Sequence, residues 1–219
     1  MVNYTQDKTD DAGVETKSKS FGVLVTNLKA GLTNSMDFQV VITPYASEET
    51  QVTGADADKK SGFGDTTLRL KYNLFGNDGG DIAMALMPFL KAPTHSHRDM
   101  GNDQVEGGLI LPIALNLPRD WKLGLMSQIN AMKNAADNKY HTEFVSSFSF
   151  SHDLGGEWGG YVEFYSQSSN EAGAEWIGTA DAGLTYGMTP DLQWDVGVNL
   201  AATTAADDYN PFVGISARF

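Results

Sequence analysis

The sequence predicts an all-β chain: a transmembrane antiparallel up-and-down barrel of about 12 strands. Three observations predict it. Segments alternate apolar with polar residues, connections alternate short with long, and aromatic residues gather at strand ends.

The alternation is clearest in Leu192-Gln193-Trp194-Asp195-Val196-Gly197-Val198-Asn199-Leu200. Successive side chains of a strand point to opposite faces, so the five apolar residues share one face and Gln193, Asp195, Gly197 and Asn199 share the other. Thr66, Leu68, Leu70, Tyr72 and Leu74 likewise oppose Asp65, Thr67, Arg69, Lys71 and Asn73. Trp121, Leu123 and Leu125 oppose Lys122, Gly124 and Met126. Strands are expected near 1–9, 17–31, 35–50, 62–75, 81–93, 104–117, 121–134, 140–154, 158–169, 174–188, 192–204 and 210–219. That makes one domain over 1–219 with an even strand number, as single-chain bacterial barrels have.

The connections fall into two sets. Thr33–Ser35, Gly76–Gly80, Pro118–Asp120, Gly155–Glu157 and Thr189–Asp191 are tight. Glu49–Lys60, Thr94–Asp103, Asn134–Lys139, Ser169–Ala174 and Ala205–Tyr209 are longer and polar. The sets alternate along the chain, which predicts short periplasmic turns at one end and longer extracellular loops at the other. Trp121, Trp158 and Trp194 follow short turns, Tyr72 and Tyr186 precede them, and Trp176 sits beside a long loop. Amphipathic rings settle where hydrocarbon meets water, so these residues and the terminal Phe219 form the expected membrane girdles.

Composition narrows the alternatives. No apolar run approaches the roughly 18 residues that a membrane helix needs. Hydrophobic residues make up 41% and mean hydropathy is −0.28, as a barrel with one polar face would average. The net charge of −13 argues against a nucleic-acid partner. Cysteine is absent, which excludes disulfides and thiolate metal sites. The first residues, Met1 to Asp7, have no signal-peptide character, and the chain is expected to be a mature or trimmed form of an exported protein.

Several stretches resemble one family. They are Gly62-Phe63-Gly64-Asp65-Thr66-Thr67-Leu68-Arg69-Leu70-Lys71-Tyr72-Asn73-Leu74, Leu86-Met87-Pro88-Phe89-Leu90-Lys91-Ala92-Pro93-Thr94, Glu106–Pro112, Tyr140–Phe144 and Asn210–Gly214. From about residue 20 onward the chain is similar to the "MetA-pathway of phenol degradation" group of outer-membrane transporters. The resemblance implies an outer-membrane barrel with an uptake role. The alternating last strand, ending on Phe219, also resembles the terminal strand of such barrels, which the outer-membrane assembly machinery recognises.

If apolar faces meet lipid, the polar faces line the interior, because Arg or Lys on the lipid face costs roughly 2–4 kcal/mol near the midplane. The expected pore-lining set is Asp65, Arg69, Lys71, Lys91, Glu106, Lys122, Glu143, Glu163, Asp181, Asp195 and Arg218, with Lys29 and Asp37 beside it. These charges either pair to stiffen a narrow lumen or form a polarised constriction, Arg69, Lys71 and Lys91 facing Glu106, Glu143 and Glu163. Tyr45, Phe89, Tyr161 and Tyr165 are expected inside as aromatic lining, either filling space or stacking on a solute.

The expected function is passive passage of small solutes, aromatic or hydrophobic compounds among them, with lipid and solute as partners and no cofactor. A closed anchoring barrel without conductance is the main alternative, and a hydrolase is a weaker one. His141 with Ser146 and Ser147 lacks a lipase arrangement, and His95 with His97, two positions apart on a loop, is a weak metal signal. Asp56-Ala57-Asp58 does not match a calcium loop.

Overall fold

A lone strand leaves half its backbone N–H and C=O groups without partners, and in an apolar medium nothing but another strand can supply them. The computed structural model describes residues 1–219 apart from 12, 78, 97–102 and 135–138. Its strands are β1 (Val2–Asp11), β2 (Val14–Val23), β3 (Thr26–Gly31), β4 (Met36–Ile42), β5 (Tyr45–Val52), β6 (Asp58–Gly62), β7 (Thr66–Phe75) and β8 (Ile82–Ala92). They continue as β9 (Glu106–Asn116), β10 (Lys122–Lys133), β11 (Tyr140–Gly155), β12 (Trp158–Ser169), β13 (Ile177–Thr189), β14 (Leu192–Ala201) and β15 (Tyr209–Ala217).

All are antiparallel neighbours in one sheet, in the order β3-β4-β7-β8-β9-β10-β11-β12-β13-β14-β15-β1-β2-β5-β6. The two ends of this order belong together. β2 runs straight into β3 across Leu24 and Val25, β4 into β5 across Thr43 and Pro44, and β6 into β7 across 63–65. Joined as three long bent strands, these six pieces complete a ring of twelve. The seam is the pairing of β15 with β1, Val2 opposite Val213 and Gln6 opposite Tyr209.

The three breaks correct the expected continuous strands 17–31, 35–50 and 62–75. Each break shifts the alternation by one residue, because an extra residue in one strand turns every later side chain to the other face. Leu24 holds a left-handed φ of 56°. The Gly64 N–H donates to the Thr43 carbonyl at 2.9 Å, so neighbouring breaks are tied together. Beyond them β1, β2, β5 and β6 carry ion pairs on their outer face: Lys8–Glu15 at 2.5 Å, Lys17–Glu15 at 2.8 Å and Lys19–Glu49 at 3.8 Å. On the other side of the breaks the outer face is Leu28, Phe38, Leu68 and Tyr72. The breaks therefore mark where the apolar band ends. They also shorten the expected long loop Glu49–Lys60, since β5 extends to Val52 and β6 begins at Asp58.

The interior is not an apolar core. Among the described residues the buried hydrophobic side chains are Ala85, Ile110, Val145 and Ala206. Buried polar ones include Asp37, Gln39, Glu106 and Asn130. Large apolar residues such as Leu90, Phe144, Phe148, Val162, Leu184 and Val196 are exposed on the outside. An exposed apolar belt of that extent is stable only against an apolar surrounding.

Closure can be checked directly, because the chain has no cysteine of its own. Val2→Cys combined with Val213→Cys should cross-link on oxidation in the folded state, giving a gel shift that reductant reverses. An uncross-linked, folded double variant would show the seam to be open.

Candidate functional site

Pairing register fixes which side chains face the lumen. Asp37 stands opposite Lys71, and Gln39 opposite Arg69. Arg69 stands opposite Phe89, Lys91 opposite Glu106, and Asn130 opposite Glu143. Further round, Ser149 is opposite Glu163, Glu163 opposite Asp181, Asp181 opposite Asn199, and Thr185 opposite Asp195. All belong to the face turned away from the apolar belt.

These charges sort into two groups. One is paired within neighbouring strands. Lys29 Nζ lies 3.2 Å from Asp37, whose Oδ1 also accepts from Gln39 Nε2 at 2.8 Å. Lys91 contacts Glu106, and the Glu106 Oε1 accepts the Lys133 backbone N–H at 2.8 Å. The Glu106 side chain is fully buried, where a charge requires such a partner. Glu143 accepts from Asn130 Nδ2 at 3.2 Å, with His141 Nε2 at 3.4 Å from its other oxygen.

The second group has no ion-pair partner among the described residues. It contains Arg69 and Lys71 on β7, and Glu163, Asp181 and Asp195 on β12, β13 and β14. Arg69 Nε and Asp181 Oδ1 are buried without a hydrogen bond.

The aromatic lining lies flat. A Cβ built on Gly183 would sit 2.4 Å from the Tyr161 ring, one on Gly197 would be 2.6 Å from Phe212, and one on Gly108 2.8 Å from Phe89. Each ring thus lies over a glycine of a neighbouring strand, against the wall. Tyr165 donates its hydroxyl to Gln167 at 2.6 Å. Near the short-turn end a cavity of about 560 Å3 is bounded by Lys122, Tyr161, Thr185 and Gln193. An apolar trough of about 860 Å3 between Leu68, Leu90, Gly107 and Ile129 faces outward and belongs to the lipid-side surface.

Two expected lumen residues stand elsewhere. Tyr45 is opposite Val23, on the outer face with Phe21, and is exposed. The break at Thr43 and Pro44 reverses its face and puts it at the edge of the apolar band. Arg218 lies beyond the end of β15, 78% exposed, and its Nη2 is 2.8 Å from Asp191. It clamps the Thr189–Asp191 turn at the rim. Lys122 opens β10 and is exposed at the same mouth.

The expected girdle residues are exposed at the ends of the outer face. Trp158 packs on Tyr186 with centroids 4.7 Å apart, and Trp121 stacks on His152 at 4.6 Å. Trp194 donates to Met188 Sδ at 2.6 Å, opposite Tyr186 on the next strand. Tyr72 is opposite Met36. Trp176, at the loop end, donates to Ser166 Oγ at 2.9 Å. Phe219 is fully exposed.

His141 and Ser146 take opposite faces of β11, while Ser147, on the face of His141, stands six residues along the strand, roughly 20 Å away. Asp58 pairs with Lys60 at 3.3 Å. His97 lies outside the described residues. His95 has a role its sequence position did not suggest: its side chain is 4% exposed, with Nδ1 2.6 Å from Asp65 and Nε2 3.2 Å from Asp103. A signal existed in the phase Asp65 shares with Arg69, which aims that carboxylate inward beneath the loop.

The family model described as "Putative MetA-pathway of phenol degradation" matches residues 4–219. The chain belongs to this family. Among solved structures the NanC porin aligns with a TM-score of 0.61 at 8% identity, covering 100% of this chain and 99% of that one. The COG4313 outer membrane channel from Pseudomonas putida F1 aligns with a TM-score of 0.61 at 13% identity, covering 98% and 90%. Both have the fold of this member of the phenol-degradation family. A search of curated proteins finds no match to the sequence.

The Asp65 hydrogen bond, seconded by Asp103, raises the His95 pKa above 6.5 despite desolvation. A raised imidazole stabilises the contact of His95 with Asp65 fully below about 6.5 and loses that contribution as pH climbs through the elevated value. Intrinsic-rate-corrected amide exchange at 94–96 should therefore be slower at pH 6 than at pH 8.5, by about tenfold for one charged hydrogen bond. His95→Gln should abolish the difference, and equal protection at both pH values in the parent would refute the coupling.

Proposed function

We propose that this chain is a passive channel of the bacterial outer membrane, open to small polar solutes. The flat aromatic lining supports this reading most. Tyr161, Phe212 and Phe89 lie over Gly183, Gly197 and Gly108, positions where even a methyl group would push them into the lumen. Rings placed to fill a lumen would project into it. Barrels of eight strands are plugged by their own side chains and those of sixteen hold water. Twelve strands with rings folded against the wall leave a narrow path.

Placement in the outer membrane rests on the closed ring, the apolar outer belt and a fold shared with known outer-membrane barrels. The final strand, with Phe219 after it, is the segment that the barrel-assembly machinery would read. The family's name and the ring faces of Phe89, Tyr161 and Tyr165 support aromatic solutes among the cargo. The charged walls favour polar ones, because a hydrocarbon solute gains nothing by leaving lipid for a polar lumen.

Refolded protein in a planar bilayer should give stepwise ionic conductance. Gly183→Val should lower the unit conductance to about half by lifting Tyr161 off the wall. Silence from protein whose heat-modifiable gel mobility shows it folded would make the barrel a closed anchor instead.

A further inference from the structure

We infer that the lumen selects solutes carrying a cation and an anion on one molecule, the amino-acid class with separated charges. Arg69 would receive the carboxylate, and Asp181 with Glu163 the ammonium. This deepens the channel reading and rests on it.

The inference starts from which charges are satisfied. Lys29 has Asp37, Lys91 has Glu106, and Arg218 has Asp191. Arg69 has neither ion pair nor hydrogen bond among the described residues, and its Nε is buried. Its neighbour Gln39 is already engaged at both ends of its amide, accepting from Asn27 at 3.2 Å and donating to Asp37. Asp181 accepts from Thr179 through Oδ2 at 3.1 Å, and its Oδ1 is buried without a donor. Glu163, directly opposite it on β12, has no ion-pair partner among the described residues. Buried polar atoms without partners are rare in folded chains and call for an explanation, an unplaced ligand being one.

The ring then sets these two groups against each other. Counting round the twelve, the β6/β7 strand and β13 are six apart, so they face each other across the lumen. Their heights also agree. The ladder from Asp181 through Glu163, Ser149, Gly124, Ala114 and Ala83 ends beside Gly76. The ladder the other way, through Asn199, Asn210, Thr5, Ser20 and Glu48, ends at Lys60 on the same strand. Both ladders climb equally and oppositely on a tilted sheet, so the point level with Asp181 lies midway between Lys60 and Gly76. Midway is Leu68, and the inward side chains that adjoin it are Thr67 and Arg69, of which Arg69 carries the charge.

The charges cannot close on each other. Twelve strands about 4.8 Å apart, tilted by about 40°, enclose a ring roughly 24 Å across. An extended arginine and an aspartate together reach roughly 10 Å from their backbones. A transverse field therefore persists across the water path, and a solute with both charges is oriented by it and satisfied at both ends. A simple cation or anion meets one attractive and one repulsive wall.

Proteoliposome swelling in 6-aminohexanoate, against sorbitol as a neutral solute of similar size, tests this. Entry of 6-aminohexanoate should be faster by about tenfold, the low end of what charged clefts give. In the double variant Arg69→Gln, Asp181→Asn the ratio should fall to near one. Equal rates in the parent protein would overturn the inference and leave the channel standing. A ratio kept by the folded double variant would overturn the assignment to these residues. No entry of either solute, with no ionic conductance, would overturn the channel reading and this one with it. Should the double variant fail to fold, the parent ratio and block of the parent's ionic current by 6-aminohexanoate still decide the inference: block is expected, and its absence overturns it.

Discussion

Everything in this molecule depends on the requirement that each strand have a neighbour on both sides. In hydrocarbon a backbone N–H without a partner costs several kcal/mol, roughly as much as a small domain's whole stability margin. The sheet answers by returning to itself through β15 and β1. Once it does so, inside and outside are no longer choices left to individual side chains. The pairing register dictates them, and a chain with 28 acidic and 15 basic residues must place its membrane-level charges on one side of one wall.

The three aligned breaks are where that dictate is renegotiated. Below them β3, β4 and β7 present Leu28, Phe38 and Leu68 outward; above them β2, β5 and β6 present Glu15, Lys17, Glu49 and Lys59. A strand that stayed in phase would carry one face through both media. Each inserted residue turns the strand over, and doing it in three adjacent strands at one height keeps the ladder intact, as the Gly64 to Thr43 hydrogen bond shows. The left-handed Leu24 costs roughly 1 kcal/mol for such a turn.

This also explains what was legible in the sequence. Strand β7 keeps its register from Thr66 to Asn73, and β14 pairs with β15 without a shift, so alternation alone carries Arg69, Lys71 and Asp195 to the face opposite the apolar belt. Alternation carried through Thr43 and Pro44 points Tyr45 inward, because nothing in the side-chain pattern there announces an extra residue. Pro44 was a usable hint, since proline within a run marks an edge or a bulge. Arg218 shares the inward phase of Gly214 and Ser216, yet phase says nothing of height, and Arg218 lies past the last rung. Which charges pair was beyond the sequence for a related reason. Lys91 meets Glu106 and Arg69 meets no one because of what stands on the next strand, a fact of register and not of spacing.

The separation of the unpaired charges and the flatness of the rings are one property seen from two sides. Arg69 Nε and Asp181 Oδ1 are buried without partners, and the rest of each charge can stay apart from the other only while water fills the space between them. Were Tyr161 and Phe89 to stand up from the wall, they would dry that space. Each charge would then be buried without a counter-ion, a far costlier state than a pair. Gly183, Gly197 and Gly108 prevent this by leaving room for a ring to lie down. On the proposed channel reading, the glycines that weaken these strands locally keep the lumen open to water, and the unpaired charges give that water path a direction.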